Sequence, residues 1–491
     1  MGNYSVPEEI RKMRPQGTMV KKVKNRYYVY EYTSTSVKTE MPDGTFRWKT
    51  QSKTGACIGQ ITLEDGFVRN GIKMSDTDNT VLEFGSYFLI KEFAGETYQR
   101  LASAFNPEDA KQIFAVAAIL VAERFEHMER IADVFPETVL AKWYPDVHLG
   151  KDALDTVFRT LGKYGTKPEE FGQKLIDESS GKVALTSHDM NGSAETGGLS
   201  VFGYDALSGT AQMNRITAYD AESQVPLCNE LFSDPDKTAA EGLLDRFSFA
   251  DTLFLADRSF NTEKDKALFS KNGNTYIVPM VSGRDDYQSV YEVLRFDDSK
   301  TFVYEKDGYS SLIYYNTYEI EGYPVDYHVF LDTARQSAER QMYVQKMQAG
   351  AEGYSEEGLA AAEKDFGLFL LETNDMNKTA EDVFRDYQSL GDVETFCRNM
   401  DCNPDFLARC RRDNGNLQGM GFIMQIAEMI VHDIQATLKP HHLSAEDVLF
   451  ALRGLKLVKE RKRYVVRNEN DERRQLCETI HLNTSNHGVN N

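Results

Sequence analysis

Leu253-Phe254-Leu255-Ala256 reads as a short apolar strand, and it runs into Asp257, followed by Arg258, Ser259 and Phe260. Further along, Tyr387 and Glu394 stand seven residues apart. On a helix that spacing is about two turns, so the two share a face with Leu390 between them. Carboxylates in such positions are oxygen donors, which suit a hard divalent cation such as Mg²⁺ far better than His or Cys would. Each is a weak signal by itself, because an Asp after a strand commonly caps a turn and a Glu on a helix is commonly solvated. Cys397, Cys402 and Cys410 form the one cysteine cluster, with gaps of five and eight residues. Paired zinc ligands do not stand at those separations. Six cysteines in 491 residues make no disulfide framework and fit a reducing cytoplasm.

Positioning these carboxylates requires a scaffold, and the hydrophobic pattern supplies one. Lys182–Ser187, Met213–Tyr219 and Val225–Phe232 read as strands, Thr238–Arg246 as a helix, Thr252–Ala256 as a buried strand and Asn274–Met280 as another. Three strands, a helix, a strand and a further strand is the order of an RNase H-like α/β fold, a mixed sheet flanked by helices. The first and fourth strands are then neighbours, and open α/β sheets keep their sites at the ends of such strands. Between Ser282 and Asp365 the pattern turns to hairpin-like pieces (Thr301–Glu305, Ser311–Tyr318, Tyr327–Leu331) and a helical stretch, Ala334–Ala349, an apparent β-rich insertion. Asp365–Glu372 returns to strand, Ala380–Met400 is a helix, and Phe422–Ile434 is an apolar core helix.

Upstream, Asn106-Pro107-Glu108-Asp109 has a capping Asn, a Pro at the first helical position and acids in the first turn. The helix it opens is expected to reach about Val134. Thr18–Ile72 is β-rich, with Lys24-Asn25 and Pro42-Asp43-Gly44 as turns. The division expected is an N-terminal β-rich, DNA-binding domain over 1–95 and a helical region over 96–177. The core follows over 178–281 and 365–440, interrupted by the insertion at 282–364, and a basic helix with a disordered tail fills 441–491. The net charge of −20 argues against a nucleic-acid partner on its face. Cations are concentrated at the two ends, however: Lys21, Lys22, Lys24 and Arg26 near the first, Lys459 to Arg467 near the second. No apolar run approaches the ~20 residues of a membrane span, and the N-terminus has no apolar signal segment, so a cytoplasmic, nucleoid-associated protein is expected.

Together and in this order, the strand ending at Asp257 and the Tyr387…Glu394 helix resemble the DDE transposases of bacterial insertion sequences. In that family the second Asp ends a strand in an apolar-apolar-Asp-Arg-Gly-Phe pattern. The Glu lies in a Y-(2)-R-(3)-E-(6)-K signature, on a helix after a β-rich insertion. Gly203-Tyr204, Asn214 with Ala218-Tyr219-Asp220, Pro226-Leu227, Gly273 to Pro279, and the early Arg26-Tyr27-Tyr28-Val29-Tyr30-Glu31-Tyr32 also resemble it. The resemblance extends from about residue 8 to 435. It implies a transposase that binds double-stranded DNA at terminal inverted repeats and joins it to target DNA, as a homodimer on DNA, by phosphodiester hydrolysis and transesterification. Three carboxylates would hold two Mg²⁺ (or Mn²⁺) ions, ~3.5–4 Å apart in such sites. Asp257 and Glu394 match two of those positions, and Tyr387 matches the signature Tyr that would hold DNA alongside Lys21, Lys22, Lys24 and Arg26.

Departures from the pattern fall at three charged positions and near Ser233-Asp234, where the usual glycine-containing turn is altered and shortened. Thr186 stands where the first Asp belongs, Leu390 where the Arg belongs and Asp401 where the Lys belongs. Asp189 lies three residues beyond Thr186, an odd offset that reaches the opposite face of a continuing strand; it substitutes only if the strand ends or bulges first. The alternative implied is a catalytically impaired, transposase-derived DNA-binding protein.

Overall fold

The computed structural model describes residues 6–15, 17–24, 26–40, 46–63, 66–69, 80–124, 130–163, 166–189, 214–232, 239–281, 285–321, 324–398, 414–460, 463–485 and 487–489. The chain divides into two compact units, residues 1–80 with 459–464, and residues 81–458 with 465–491.

The first unit is a four-stranded antiparallel sheet in sequential order: β1 (Thr18–Val23), β2 (Arg26–Glu40), β3 (Phe46–Thr62) and β4 (Gly66–Arg69). Val23 pairs with Arg26, so the first hairpin turns on Lys24, whose φ is 55°. That left-handed conformation is what a two-residue hairpin demands. A small core of Ile10, Val29 and Ile61 closes over the base of this sheet.

The second unit is built on a nine-stranded sheet. Its strands are β6 (Lys182–Asp189), β7 (Asn214–Asp220), β8 (Pro226–Phe232), β9 (Leu253–Ala256), β10 (Thr275–Pro279), β11 (Thr301–Lys306), β12 (Tyr309–Glu319), β13 (Asp326–Asp332) and β14 (Leu368–Thr373). Their order is β11-β12-β13-β14-β10-β9-β6-β7-β8. β6, β7 and β8 form an antiparallel meander; β9 then lies parallel to β6, and β10 parallel to β9. The first and fourth strands of this series are therefore neighbours, as the order of elements predicts. A mixed α/β fold results.

The strands of the segment 282–364, β11, β12 and β13, continue the central sheet through β14, which pairs antiparallel with both β13 and β10. Three expectations change. The helix opened by Asn106, whose side chain accepts from the backbone N–H of Glu108 and Asp109, spans Pro107–Ala122 and stops well short of Val134. Finally, the basic stretch near the end forms strands, β15 (Lys456–Glu460) and β16 (Arg463–Arg467). Lys456, Leu457 and Val458 pair with β5 (Val81–Glu83). The residues past Leu482, expected to be disordered, include His487, whose carbonyl accepts from the Trp143 indole at 3.0 Å.

The Ala380–Arg398 helix covers the sheet with Val383, Phe384, Leu390 and Val393, which join Ala184, Leu255, Ile277 and Phe330 in one core. Each such aliphatic or aromatic side chain contributes ~1.5–3 kcal/mol on burial. The 25-residue helix Asn414–Leu438 packs against β8 and the helices Lys151–Lys163 and Pro107–Ala122. Its Glu428 is held by a buried bidentate pair with Arg215 of β7.

Candidate functional site

Position 257 is fixed by β9. Leu253 to Ala256 are all buried, as expected of a central strand covered on both faces, and Asp257 is the first residue to leave it, half-buried. Its Oδ1 accepts from the Ser259 backbone N–H at 2.8 Å and the Ser259 hydroxyl at 2.5 Å, capping the single turn Arg258–Phe260. The capping role that an Asp after a strand commonly has is thus present, and it occupies one carboxylate oxygen.

Parallel pairing of β6 with β9 runs from Lys182↔Leu253 to Leu185↔Ala256. Thr186 is the next residue of β6, and Asp257 is the first residue beyond β9. Ala184, two residues before Thr186, belongs to the core beneath the Ala380–Arg398 helix, so Thr186 lies on the face that this helix covers. Thr186 is only 5% exposed. β6 itself continues to Asp189 in unbroken register with β7, from Val183↔Asp220 to Asp189↔Asn214. There is neither a strand end nor a bulge after Thr186, so the condition under which Asp189 would replace it is not met.

The Ala380–Arg398 helix supplies the other half. Tyr387 packs against the core, Leu390 is 2% exposed within it, and Glu394 is exposed. Burial pushes the Tyr387 hydroxyl pKa up, and the negative charges of Glu394 and then Asp257 push it further, against Arg258 and Arg335. Tyr387 therefore sits within the field of both carboxylates: two groups 137 positions apart in sequence act on one hydroxyl. A cleft of ≈ 690 Å³ opens beside them, lined by Tyr387, Leu390 and Glu394 with Lys306, Asp332 and Arg335. Asp257 does not line it. A larger cleft, ≈ 980 Å³, holds none of the site residues read from the sequence.

Sequence reasoning missed Arg335 and Asp332. Asp332 ends β13, caps the Thr333–Gln348 helix and accepts from the Tyr309 and Ser311 hydroxyls, each at 2.6 Å. Arg335 lies one turn into that helix, 4.0 Å above the Phe369 ring, with its Nε bound to Glu339. No local pattern could have found them, because their place depends on β13 joining the central sheet. Leu390, expected to be Arg from the resemblance, has a local reason to be Leu: the position faces the core, where an aliphatic side chain packs and a guanidinium would need a buried partner. Asp401, the residues around Gly203-Tyr204 and Ser233-Asp234, Cys402 and Cys410 lie outside the described residues. Lys21 and Lys22 are on β1, Lys24 in the turn and Arg26 at the start of β2, all in the first unit.

Among the described residues, the donor set does not fit a two-ion Mg²⁺ or Mn²⁺ centre. Among the described residues no three His, Cys, Asp or Glu side chains are grouped as such a site requires. The position beside Asp257 carries a neutral hydroxyl, and one oxygen of Asp257 is already engaged by Ser259.

No protein-family model matches the chain, and no curated protein matches it either. Among solved structures it is similar to a piggyBac transposase in a synaptic complex with hairpin DNA, at 11% identity over 75% of this chain and 78% of that one, with a TM-score of 0.34. A likeness of that degree assigns neither fold nor family.

Proposed function

We propose that this chain is an RNase H-like protein of DDE transposase descent that binds double-stranded DNA, with its cleavage centre impaired. The observation that carries the reading is that Thr186 and Asp257 each follow directly on Leu185↔Ala256, the last pair of β6 with β9: on this reading, the scaffold of a carboxylate site with a hydroxyl at the first position. The strand order, with the first strand of the meander beside the fourth and the fifth parallel to both, supports the RNase H-like assignment. The joint action of Glu394 and Asp257 on Tyr387 supports a common site. Arg258 and Arg335 bring two guanidiniums to that site, groups suited to phosphate.

The partner is duplex DNA carrying the terminal inverted repeats of a mobile element, bound by a homodimer. The test is to mix the purified chain with DNA from the flanks of its own reading frame, with Mg²⁺ or Mn²⁺. Binding that weakens steeply with salt, without cleaved ends, is expected. The retained Asp257 and Glu394 favour a second reading, a fully active transposase. Cleaved ends or strand-transfer products that Asp257→Ala abolishes would establish that reading and overturn the impaired one.

A further inference from the structure

Arg335 and Glu339 stand four residues apart on the Thr333–Gln348 helix and so share a face. Arg335 Nε donates to Glu339 Oε1 at 2.6 Å, and the Gly367 backbone N–H donates to Glu339 Oε2 at 2.7 Å. Two further exposed Arg–Glu pairs at this spacing are made differently. Glu96 accepts from both Nε and Nη2 of Arg100, and Glu381 from both Nε and Nη2 of Arg385. At Arg335 the second carboxylate oxygen is turned to the Gly367 N–H, and Glu339 closes on Nε alone. The guanidinium lies over the Phe369 ring of β14, with Cζ 4.0 Å from the centroid, an attraction that restrains its plane. Gly367 is itself pinned: its carbonyl accepts from the Asp332 N–H at 2.9 Å, and its φ of 72° is one that glycine adopts freely. A ring, a carboxylate one helical turn on and a loop N–H therefore orient one side chain that is still 43% exposed.

We infer that the Nη edge of Arg335 is a clamp for a backbone phosphate of duplex DNA, and that Glu339 is the residue that positions it. This deepens the function proposed above and rests on it. The two Nη groups of a guanidinium match two oxygens of one phosphate. Among the described residues, Nε is the one nitrogen of Arg335 with a hydrogen-bond partner. Location agrees. Arg335 lines the ≈ 690 Å³ cleft with Tyr387, Glu394 and Lys306, and its charge reaches the Tyr387 and Tyr309 hydroxyls. The carboxylates of the same wall are largely offset. Asp332 accepts from the Tyr309 and Ser311 hydroxyls and the Arg335 backbone N–H, and Asp392 is paired with Lys306. Glu394 is opposed at Tyr387 by Arg258 and Arg335, and Asp307 stands between β11 and β12.

The test uses the full chain and a fluorescein-labelled random-sequence duplex, with the flanking DNA as a second probe. Arg335→Ala should weaken binding about tenfold or more and lower the slope of log K against log salt by ~0.9, the share of one phosphate. Arg335→Lys should keep the slope and lose affinity, because a point charge replaces the fork. Glu339→Ala separates positioning from charge. Removing an acid beside DNA raises affinity if charge alone counts, whereas losing the positioning carboxylate lowers it severalfold. Phosphate-ethylation interference on the flanking duplex gives a readout that a merely structural role would not move. At least one phosphate whose ethylation blocks wild-type binding should cease to matter in Arg335→Ala and Glu339→Ala alike. An unchanged salt slope in an Arg335→Ala variant that retains its circular dichroism overturns the clamp, as does tighter binding by Glu339→Ala or an unaltered interference pattern. Thermal stabilisation of wild type by millimolar inorganic phosphate, lost in Arg335→Ala while DNA binding is unchanged, would assign the clamp to a free anion and overturn it equally. If the wild type binds neither duplex, the proposed function fails; if it binds and the variants match it, the clamp alone fails.

Discussion

Thr186→Asp is the substitution on which the proposed reading of the site turns, because it would supply a carboxylate directly after the last pair of β6 with β9, where Asp257 also follows. Adjacent strands are ~4.8 Å apart. Two carboxylates at roughly 5 Å, in an effective dielectric of about 20, repel by ~3 kcal/mol. Position 186 is nearly inaccessible to water, so the new charge cannot be relieved by hydration, and its carboxyl pKa should rise above the unfolded value. The sign follows: a carboxyl with a raised folded pKa costs stability at pH values above its unfolded pKa, and the cost is removed as acid protonates it. A divalent cation reverses the penalty by binding the folded state alone, which at a hundredfold excess over Kd is worth ~2.7 kcal/mol. For a unit of roughly 400 residues that is about 3 °C in Tm. The assay is thermal unfolding of wild type and variant at neutral pH, each with and without Mg²⁺. The variant should lose about 3 kcal/mol without the cation and recover most of it with Mg²⁺, while the wild type stays indifferent. A variant as stable as wild type and blind to Mg²⁺ would refute the geometry, and a wild type stabilised by Mg²⁺ would refute the claim that its donor set is incomplete.

Three further outcomes rest on the same scaffold. Lys266→Met should cost ~3–5 kcal/mol in urea unfolding, because Glu372, 2% exposed, receives Lys266 Nζ at 3.0 and 3.1 Å and would be left with the Tyr276 hydroxyl as partner; a loss below ~1 kcal/mol would mean the carboxyl is protonated or reached by water. Gly419→Ala should destabilise by ~1–3 kcal/mol or more, since its Cβ would stand 1.9 Å from the Phe158 carbonyl oxygen, and an unchanged denaturation midpoint would show that the two helices do not meet there. His328, 2% exposed, has its pKa lowered to about 4 by burial. The unfolded imidazole takes up a proton at higher pH than the folded one, so stability of ~3 kcal/mol should drain away as pH falls from ~6.5 towards ~4. His328→Leu should flatten that part of the pH profile, and an unaltered profile would locate the acid sensitivity elsewhere.

The elements nearest the site were legible because their signals are local. Asn106 caps its helix through its own side chain, Lys24 takes the left-handed turn, and four consecutive apolar residues before Asp257 form a buried strand. What local pattern cannot convey is partnership. Tyr309–Glu319 alternates as any half-buried strand does, and nothing in it distinguishes a separate sheet from the margin of the central one. Arg335 and Asp332 were missed for the same reason, since they reach the cleft only because β13 hydrogen-bonds to β14. The C-terminal cations were read as a helix because charge says little about backbone; Lys456–Glu460, with Leu457 and Val458 in it, pairs as a strand instead.

On the proposed descent, Thr186 and Leu390 are physically coherent with one another as departures from the three-carboxylate pattern. A cluster of three carboxylates is tolerable only with cations to neutralise it, whether bound ions or nearby Arg and Lys. With Thr186 in place, one of the three negative charges is gone. At Tyr387 the remaining carboxylates, Asp257 and Glu394, are opposed by two guanidiniums, Arg258 and Arg335. That balance removes the electrostatic need for an arginine at 390, and the position is filled by a leucine that packs under Val383, Phe384 and Val393 instead. Restoring the carboxylate alone therefore recreates the demand for positive charge without its protein supply. For that reason the response of Thr186→Asp to divalent cations, more than its activity, discriminates a disabled centre from one that never assembled.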